Sequence, residues 1–90
     1  MARTLVDRRL AGCVNIVPHV ESIYRWQGKV ETAREWLLIV KTSRERTKEI
    51  EHALRELHSY ELPECIWMDV GGGSKAYLRW LGENARGGEK

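Results

Sequence analysis

The sequence predicts an α+β domain, and three features of the chain carry that prediction. Two extended segments joined by a glycine-containing turn predict a long β-hairpin. Apolar residues spaced three and four apart after the hairpin predict an amphipathic helix, and shorter helical patterns lie near both ends, in the order α-β-β-α-β-α. A chain of 90 residues can bury one modest core. We therefore expect a single domain over residues 1–90, with residues 86–90 as a polar tail.

The N-terminal part of the chain predicts a helix and then a strand. Residues 3–11 are rich in helix formers and precede Gly12, the residue type that most often follows a helix C-terminus. Residues 13–17 are mostly β-branched and predict a strand. Pro18 has no backbone N–H to donate, so it marks a bulge or an edge, and extended chain resumes over residues 20–26.

The returning half of the hairpin follows a tight turn. Gln27, Gly28 and Lys29 form that turn, and glycine supplies its positive φ. The chain then returns as a strand over residues 30–41. The uninterrupted apolar run over residues 36–40 predicts a central strand that is buried on both faces.

The segment after the hairpin predicts the main helix. Thr42 and Glu45 have the spacing of a capping box, in which Thr42 is the N-cap. Behind them, apolar residues recur on one helical face and the helix ends near His58. That face consists of Ile50, Ala53, Leu54 and Leu57.

The last third of the chain predicts a strand and a final helix. Residues 60–64 form a connector, residues 65–70 alternate as a further strand, and glycines 71–73 interrupt it. Ser74 then caps a helix. The residues expected to face inward are Tyr77, Leu78, Leu81 and Ala85, with Trp80 beside them.

Composition and charge argue against several classes of protein. The net charge is only +2, with basic and acidic residues interleaved, so we expect no nucleic-acid binding. The longest strictly apolar run, residues 36–40, is far too short to cross a membrane. The N-terminus carries arginines and no signal-peptide pattern. With only Cys13 and Cys65, we expect reduced thiols and a cytoplasmic protein without membrane partners.

No arrangement of residues in the sequence predicts catalysis. The glycine run before Ser74 and Lys75 lacks the order of a phosphate-binding Walker loop. No cysteine or histidine pair has the spacing of a structural zinc site, and no serine lies in a nucleophile-elbow context. His58, Glu61 and Glu64 are near enough in sequence to line one small pocket, although His58 is also suited to cap a helix C-terminus.

Five blocks of the sequence stand out, at residues 9–15, 22–30, 37–42, 58–64 and 77–81. Together they resemble the CutA divalent-cation tolerance family. The resemblance implies a ferredoxin-like antiparallel sheet with helices on one face, a long hairpin and a homotrimer similar in shape to PII signalling proteins. It also implies a cytosolic protein linked to tolerance of copper and other divalent metals, with no enzymatic activity.

The resemblance also implies site residues. Glu64 matches the family position best suited to bind a metal, and His58 and Glu61 join it by proximity alone, so we expect weak binding of a divalent cation, copper above all. The alternative is a PII-like sensor that binds a small anionic ligand in clefts between subunits. Those clefts would be lined by Trp26, Lys29, Lys41 and Tyr60. A structural role without any ligand is a third hypothesis.

This chain departs from the family at its start. Family members have a first, central strand before the block that aligns with Leu5. We therefore expect a sheet that lacks this strand and leaves two strand edges facing a gap. The connector also reads His58-Ser59-Tyr60 where the family usually has proline in the middle, and the hairpin turn has Gln27 where the family has glutamate.

Overall fold

The computed structural model describes residues 1–57 and 64–87. Within these residues it contains one antiparallel hairpin and three α-helices, in agreement with the predicted α+β class. No helix in this part of the chain is long and apolar enough to cross a membrane. The elements are α1 (Ala2–Asp7), β1 (Cys13–Trp26), β2 (Lys29–Lys41), a 3-10 turn (Arg44–Arg46), α2 (Thr47–Leu57) and α3 (Lys75–Asn84).

The hairpin runs from the base pair Cys13–Lys41 to the tip pair Trp26–Lys29. Its register shifts between Val17 and Val20, so Pro18 marks a bulge, which is one of the two alternatives that the sequence left open. His19 completes the bulge with a φ of 61°. At the tip both turn residues have positive φ, 51° at Gln27 and 81° at Gly28, as the tightest hairpin turns require.

The core lies where two helices cover the base of the hairpin. α1 and the turn after it contribute Leu5, with no exposed surface, together with Leu10 and Ala11. α2 contributes Ile50 and Ala53. Burial of these side chains is what holds the helices on the sheet. The partly buried side chains packed against this core are Val14, Val40 and Leu54.

The prediction that residues 36–40 are buried on both faces is wrong for this chain. Trp36 is 67% exposed, Leu37 48% and Ile39 45%. The reason is that α1 and α2 pack only against the base of one face, around Val14 and Val40. The rest of the hairpin extends beyond the helices, and the molecule measures 45 × 27 × 20 Å along its principal axes.

The predicted strand over residues 65–70 is absent from the described residues, where the only ladder joins β1 to β2. Ile66, Met68 and Val70 are each more than three-quarters exposed. A strand requires a neighbouring backbone within hydrogen-bonding distance, and this segment has none among residues 1–57 and 64–87. The ferredoxin-like arrangement, including the sheet gap, therefore stays an expectation.

The capping box predicted at Thr42 is also wrong. The Thr42 hydroxyl donates a hydrogen bond to the carbonyl oxygen of Leu10 at 2.6 Å instead of capping a helix. The chain first makes the 3-10 turn after Ser43, and α2 begins only at Thr47. The Thr42 hydroxyl therefore bonds to a carbonyl that is distant in the sequence, whereas the local pattern predicted that it would cap the helix.

Of the predictions for the two terminal helices, the end of α1 is wrong and the cap of α3 is confirmed. α1 ends at Asp7, earlier than predicted, and Arg9 rather than Gly12 adopts the left-handed conformation, with φ 60°. At α3 the predicted cap is confirmed, because Ser74 Oγ accepts a hydrogen bond from the Tyr77 N–H at 3.3 Å. Of the residues expected to face inward, Ala85 is 2% exposed, whereas Tyr77 and Leu78 remain about two-fifths exposed.

Leu5 is expected to contribute more stability than any neighbour on α1. Leu5→Ala removes a fully buried side chain and should lower the free energy of unfolding by about 2–5 kcal/mol. Val6→Ala is the matched control, since Val6 is adjacent and 41% exposed, and it should cost less than about 1 kcal/mol. Urea unfolding followed by circular dichroism measures both, and equal losses would contradict the assigned core.

Candidate functional site

Four of the seven predicted site residues lie in the described part of the chain. They are Glu64, Trp26, Lys29 and Lys41. His58, Tyr60 and Glu61 fall outside the described residues. The structure therefore describes one of the three residues of the predicted metal site and three of the four residues of the alternative anion cleft.

Glu64 is exposed and is the first described residue after the gap at residues 58–63. Among residues 1–57 and 64–87, no ion pair involves its carboxylate. The next residue, Cys65, is partly buried and lies close enough to α2 to interact with Glu51. Glu64 is thus an accessible carboxylate near the surface of α2.

Cys65 has an electrostatic environment that disfavours the thiolate. Burial raises the pKa of the Cys65 thiol, and the nearby negative charge of Glu51 raises that pKa further. Because the thiolate is the form that binds metals and attacks electrophiles, the thiol is expected to stay protonated and inert near neutral pH. The sequence did not indicate this contact, since Glu51 has the i,i+4 spacing to Arg55 of an ordinary exposed ion pair, at 3.3 Å.

Other carboxylates near the candidate site already have partners. Asp69 accepts a hydrogen bond from Arg44 at 2.6 Å, and Glu56 lies 3.5 Å from His52. Within the described ranges, no group of three or more histidine, cysteine or acidic residues has the geometry to hold a metal ion. A metal site at Glu64 would therefore need ligands from outside the described residues of this chain.

The cleft residues lie at opposite ends of the hairpin. Trp26 pairs with Lys29 at the tip, whereas Lys41 pairs with Cys13 at the base. Lys29 is the first residue and Lys41 the last residue of a strand of 13 residues. Because a strand rises about 3.3 Å per residue, their backbones are about 40 Å apart. One chain does not bring these residues together, and a cleft that includes both ends needs more than one subunit.

Lys41 has an aromatic neighbour at the base of the hairpin. Its ammonium nitrogen lies 6.0 Å from the centroid of the Tyr77 ring on α3. This distance is at the outer limit of a cation–π interaction. The side chain is only partly exposed, so Lys41 is the more enclosed cation of the predicted cleft.

The surface of the chain is larger than a compact monomer of this size requires. Its accessible area is 7385 Å², while area scaling gives about 5,400 Å² for this mass. The radius of gyration is 14.7 Å, against about 12 Å expected. Many of the large apolar side chains that are exposed lie on the hairpin. The exposed apolar residues there include Ile16, Val17, Ile23, Tyr24, Trp26, Val30, Trp36, Leu37 and Ile39.

Comparison with known proteins identifies relatives over most of the chain. The CutA1 divalent ion tolerance protein family matches residues 1–84. The divalent-cation tolerance protein CutA of Thermus thermophilus is 45% identical over 84 residues, which cover 93% of this chain and 82% of that protein. The chloroplastic protein CutA of Arabidopsis thaliana is 42% identical over 86 residues, and the chain spans 47% of its length.

Solved structures agree with the sequence relatives. The Cut A1 structure from Thermus thermophilus superposes with a TM-score of 0.90 at 46% identity, covering 92% of this chain and 81% of that one. The PII-like protein CutA from Nostoc superposes with a TM-score of 0.86 at 34% identity, covering 93% and 82%. Since the family match extends over residues 1–84, this chain belongs to the CutA1 divalent ion tolerance protein family.

Proposed function

We propose that this chain is a non-enzymatic divalent-cation tolerance protein that works as a cytoplasmic homotrimer and binds copper or a similar ion weakly. The observation that carries the proposal is the family match over residues 1–84. The relative from Thermus thermophilus, which is 45% identical, is a divalent-cation tolerance protein. Glu64 adds a chemical reason, because its carboxylate is exposed and forms no ion pair among the described residues, so it is accessible to a metal ion.

The metal site proposed is Glu64 together with His58 and Glu61. Imidazole and carboxylate groups suit copper(II) and zinc. Two or three protein ligands leave positions open to water, which is consistent with weak binding. Cys65 is not included, because the raised pKa of its thiol opposes the deprotonation that metal binding requires.

The trimer is proposed because the single chain exposes too much apolar surface. The excess over a compact monomer is about 2,000 Å², a value in the range of stable protein interfaces. The hairpin carries several large exposed apolar side chains, among them Trp36, which is 67% exposed, and Ile23, which is 70% exposed. Association of three hairpins would remove this surface from water.

Copper binding should depend on Glu64. Titration of the protein with copper(II) in a calorimeter should show a saturable signal, and Glu64→Gln should weaken the affinity about tenfold or more, because it removes one charged ligand. Glu31→Gln is the matched control, since Glu31 is an exposed carboxylate on the hairpin, and it should bind as the unmodified protein does. Equal affinity in all three proteins would exclude Glu64 from the site.

Oligomeric state tests the second part of the proposal. Light scattering behind size exclusion should give about 31 kDa, three times the 10.4 kDa chain. Leu37→Arg places a charge on a 48% exposed apolar residue and should shift the protein toward monomer, whereas Thr32→Arg, at an exposed polar position, should not. A monomer in the unmodified protein would refute the trimer.

The alternative, a sensor of a small anion in clefts between subunits, is favoured by the enclosed position of Lys41 beside Tyr77. A thermal-shift screen of nucleotides and organic polycarboxylates separates it from the metal hypothesis. A stabilising anion whose effect is lost in Lys41→Gln but kept in Lys48→Gln, at an exposed lysine of α2, supports the sensor. Stabilisation by copper alone supports metal binding.

A further inference from the structure

An open groove of about 250 Å³ lies between the end of α1 and the end of α3. Pockets for drug-sized ligands usually measure about 300–1,000 Å³, so this groove suits a smaller molecule. Its walls come from the last residues of α1, the chain between α1 and β1, and the last residue of α3. The residues that line the groove are Val6, Asp7, Arg9, Ala11, Gly12 and Asn84.

Two opposite charges line the groove without pairing with each other. Asp7 and Arg9 are both exposed, and no ion pair within residues 1–57 and 64–87 includes either side chain. Arg8 lies between them in the sequence but does not line the groove, and its guanidinium lies 3.8 Å from Glu56 on α2. The groove thus presents a carboxylate and a guanidinium, each accessible to a ligand group of the opposite charge.

The backbone of Arg9 is held in a conformation that residues other than glycine disfavour. Its φ of 60° lies in the left-handed region. Two hydrogen bonds hold it there, because the Arg9 N–H donates to the carbonyl of Val6 at 3.0 Å and the Arg9 carbonyl accepts from the Gly87 N–H at 2.8 Å. Gly87 is buried, although the sequence predicted a polar tail from residue 86. Strained backbone of this kind is concentrated at functional sites, and here it fixes the direction in which the Arg9 side chain leaves the main chain.

The last residue of α3 forms the opposite wall of the groove. Asn84 lies over Gly12, since a Cβ at Gly12 would be 3.6 Å from the Asn84 Cβ. The Gly12 N–H donates to the carbonyl of Lys41 at 3.0 Å, which ties this wall to the hairpin. The amide nitrogen of Asn84 donates to the carbonyl of Trp80 at 2.9 Å. The amide oxygen of Asn84 is then the group that can accept a hydrogen bond from a ligand, which adds a second acceptor to the carboxylate of Asp7.

We propose that this groove binds a small free amino acid, with the ligand ammonium group at Asp7 and Asn84 and the ligand carboxylate at Arg9. A singly charged ligand engages only one of the two charges, whereas a zwitterion engages both. A guanidinium binds a carboxylate through two parallel hydrogen bonds, and Val6 and Ala11 offer apolar contact to a short aliphatic side chain. The proposal is independent of the metal site and of the trimer, because no residue that lines the groove belongs to the hairpin or follows the connector directly.

Matched small molecules test whether both charges are used. L-Alanine carries both groups, propionate lacks the ammonium group and ethylamine lacks the carboxylate. In NMR titrations of the full chain, L-alanine should shift the backbone amide signals of Gly12 and Asn84, which line the groove. Its affinity should be about tenfold or more above that of either analogue, because each analogue loses one charge-assisted interaction.

Variants of the two charged residues assign the groups. Arg9→Gln should weaken L-alanine binding about tenfold and leave ethylamine binding unchanged, whereas Asp7→Asn should weaken L-alanine binding to a similar extent and leave propionate binding unchanged. Arg8→Gln and Glu83→Gln are the matched controls, since both are exposed charges next to lining residues and neither lines the groove. Both controls should bind L-alanine as the unmodified protein does.

Three results would overturn the proposal. The first is the absence of a saturable shift at Gly12 and Asn84 with L-alanine up to about 100 mM, a concentration that saturates a site of millimolar affinity. The second is equal affinity for L-alanine and propionate, which indicates a simple anion site. The third is an equal loss in Arg9→Gln and Arg8→Gln, which indicates a general effect of charge.

Discussion

The structure depends on the packing of α1 and α2 against one end of the hairpin. Leu5 is fully buried there and meets Ile50 and Ala53 of α2. The contact fixes the base of β1 and β2, whereas the remaining strand residues are held only by the ladder between the two strands. Because an isolated two-stranded ribbon is marginally stable, the protruding part depends on this base and on whatever covers its apolar faces.

The residues of the candidate sites are also divided between the packed base and the uncovered part of the hairpin. Glu64 and Cys65 lie near α2, while Trp26 and Lys29 lie at the tip. Of the proposed metal ligands, Glu64 therefore lies toward the packed end of the chain. The alternative anion cleft needs groups from both ends of the hairpin and therefore depends on assembly.

Local signals predicted the hairpin turn, the bulge at Pro18, the amphipathic α2 and the Ser74 cap, since each is determined by neighbours in the sequence. Other predictions were wrong where contacts between residues distant in the sequence decided the outcome. Thr42 bonds to Leu10 rather than to a helix end, and residues 65–70 lack a neighbouring strand among the described residues. Likewise, the effect of Glu51 on the pKa of Cys65 comes from a tertiary contact that the sequence did not indicate.

The bulge at Pro18 and His19 also decides which side chains share a face of the hairpin. Val17 pairs with Leu37 and Val20 with Glu35, so two residues of β1 stand opposite Trp36 alone. The extra residue reverses the alternation of β1 beyond this point. Tyr24 and Trp26 consequently share a face with Val17 and Leu37, whereas an unbulged strand would have turned both aromatic rings to the face that α1 and α2 cover. One inserted residue thus places the aromatic side chains near the hairpin tip on the face opposite α1 and α2.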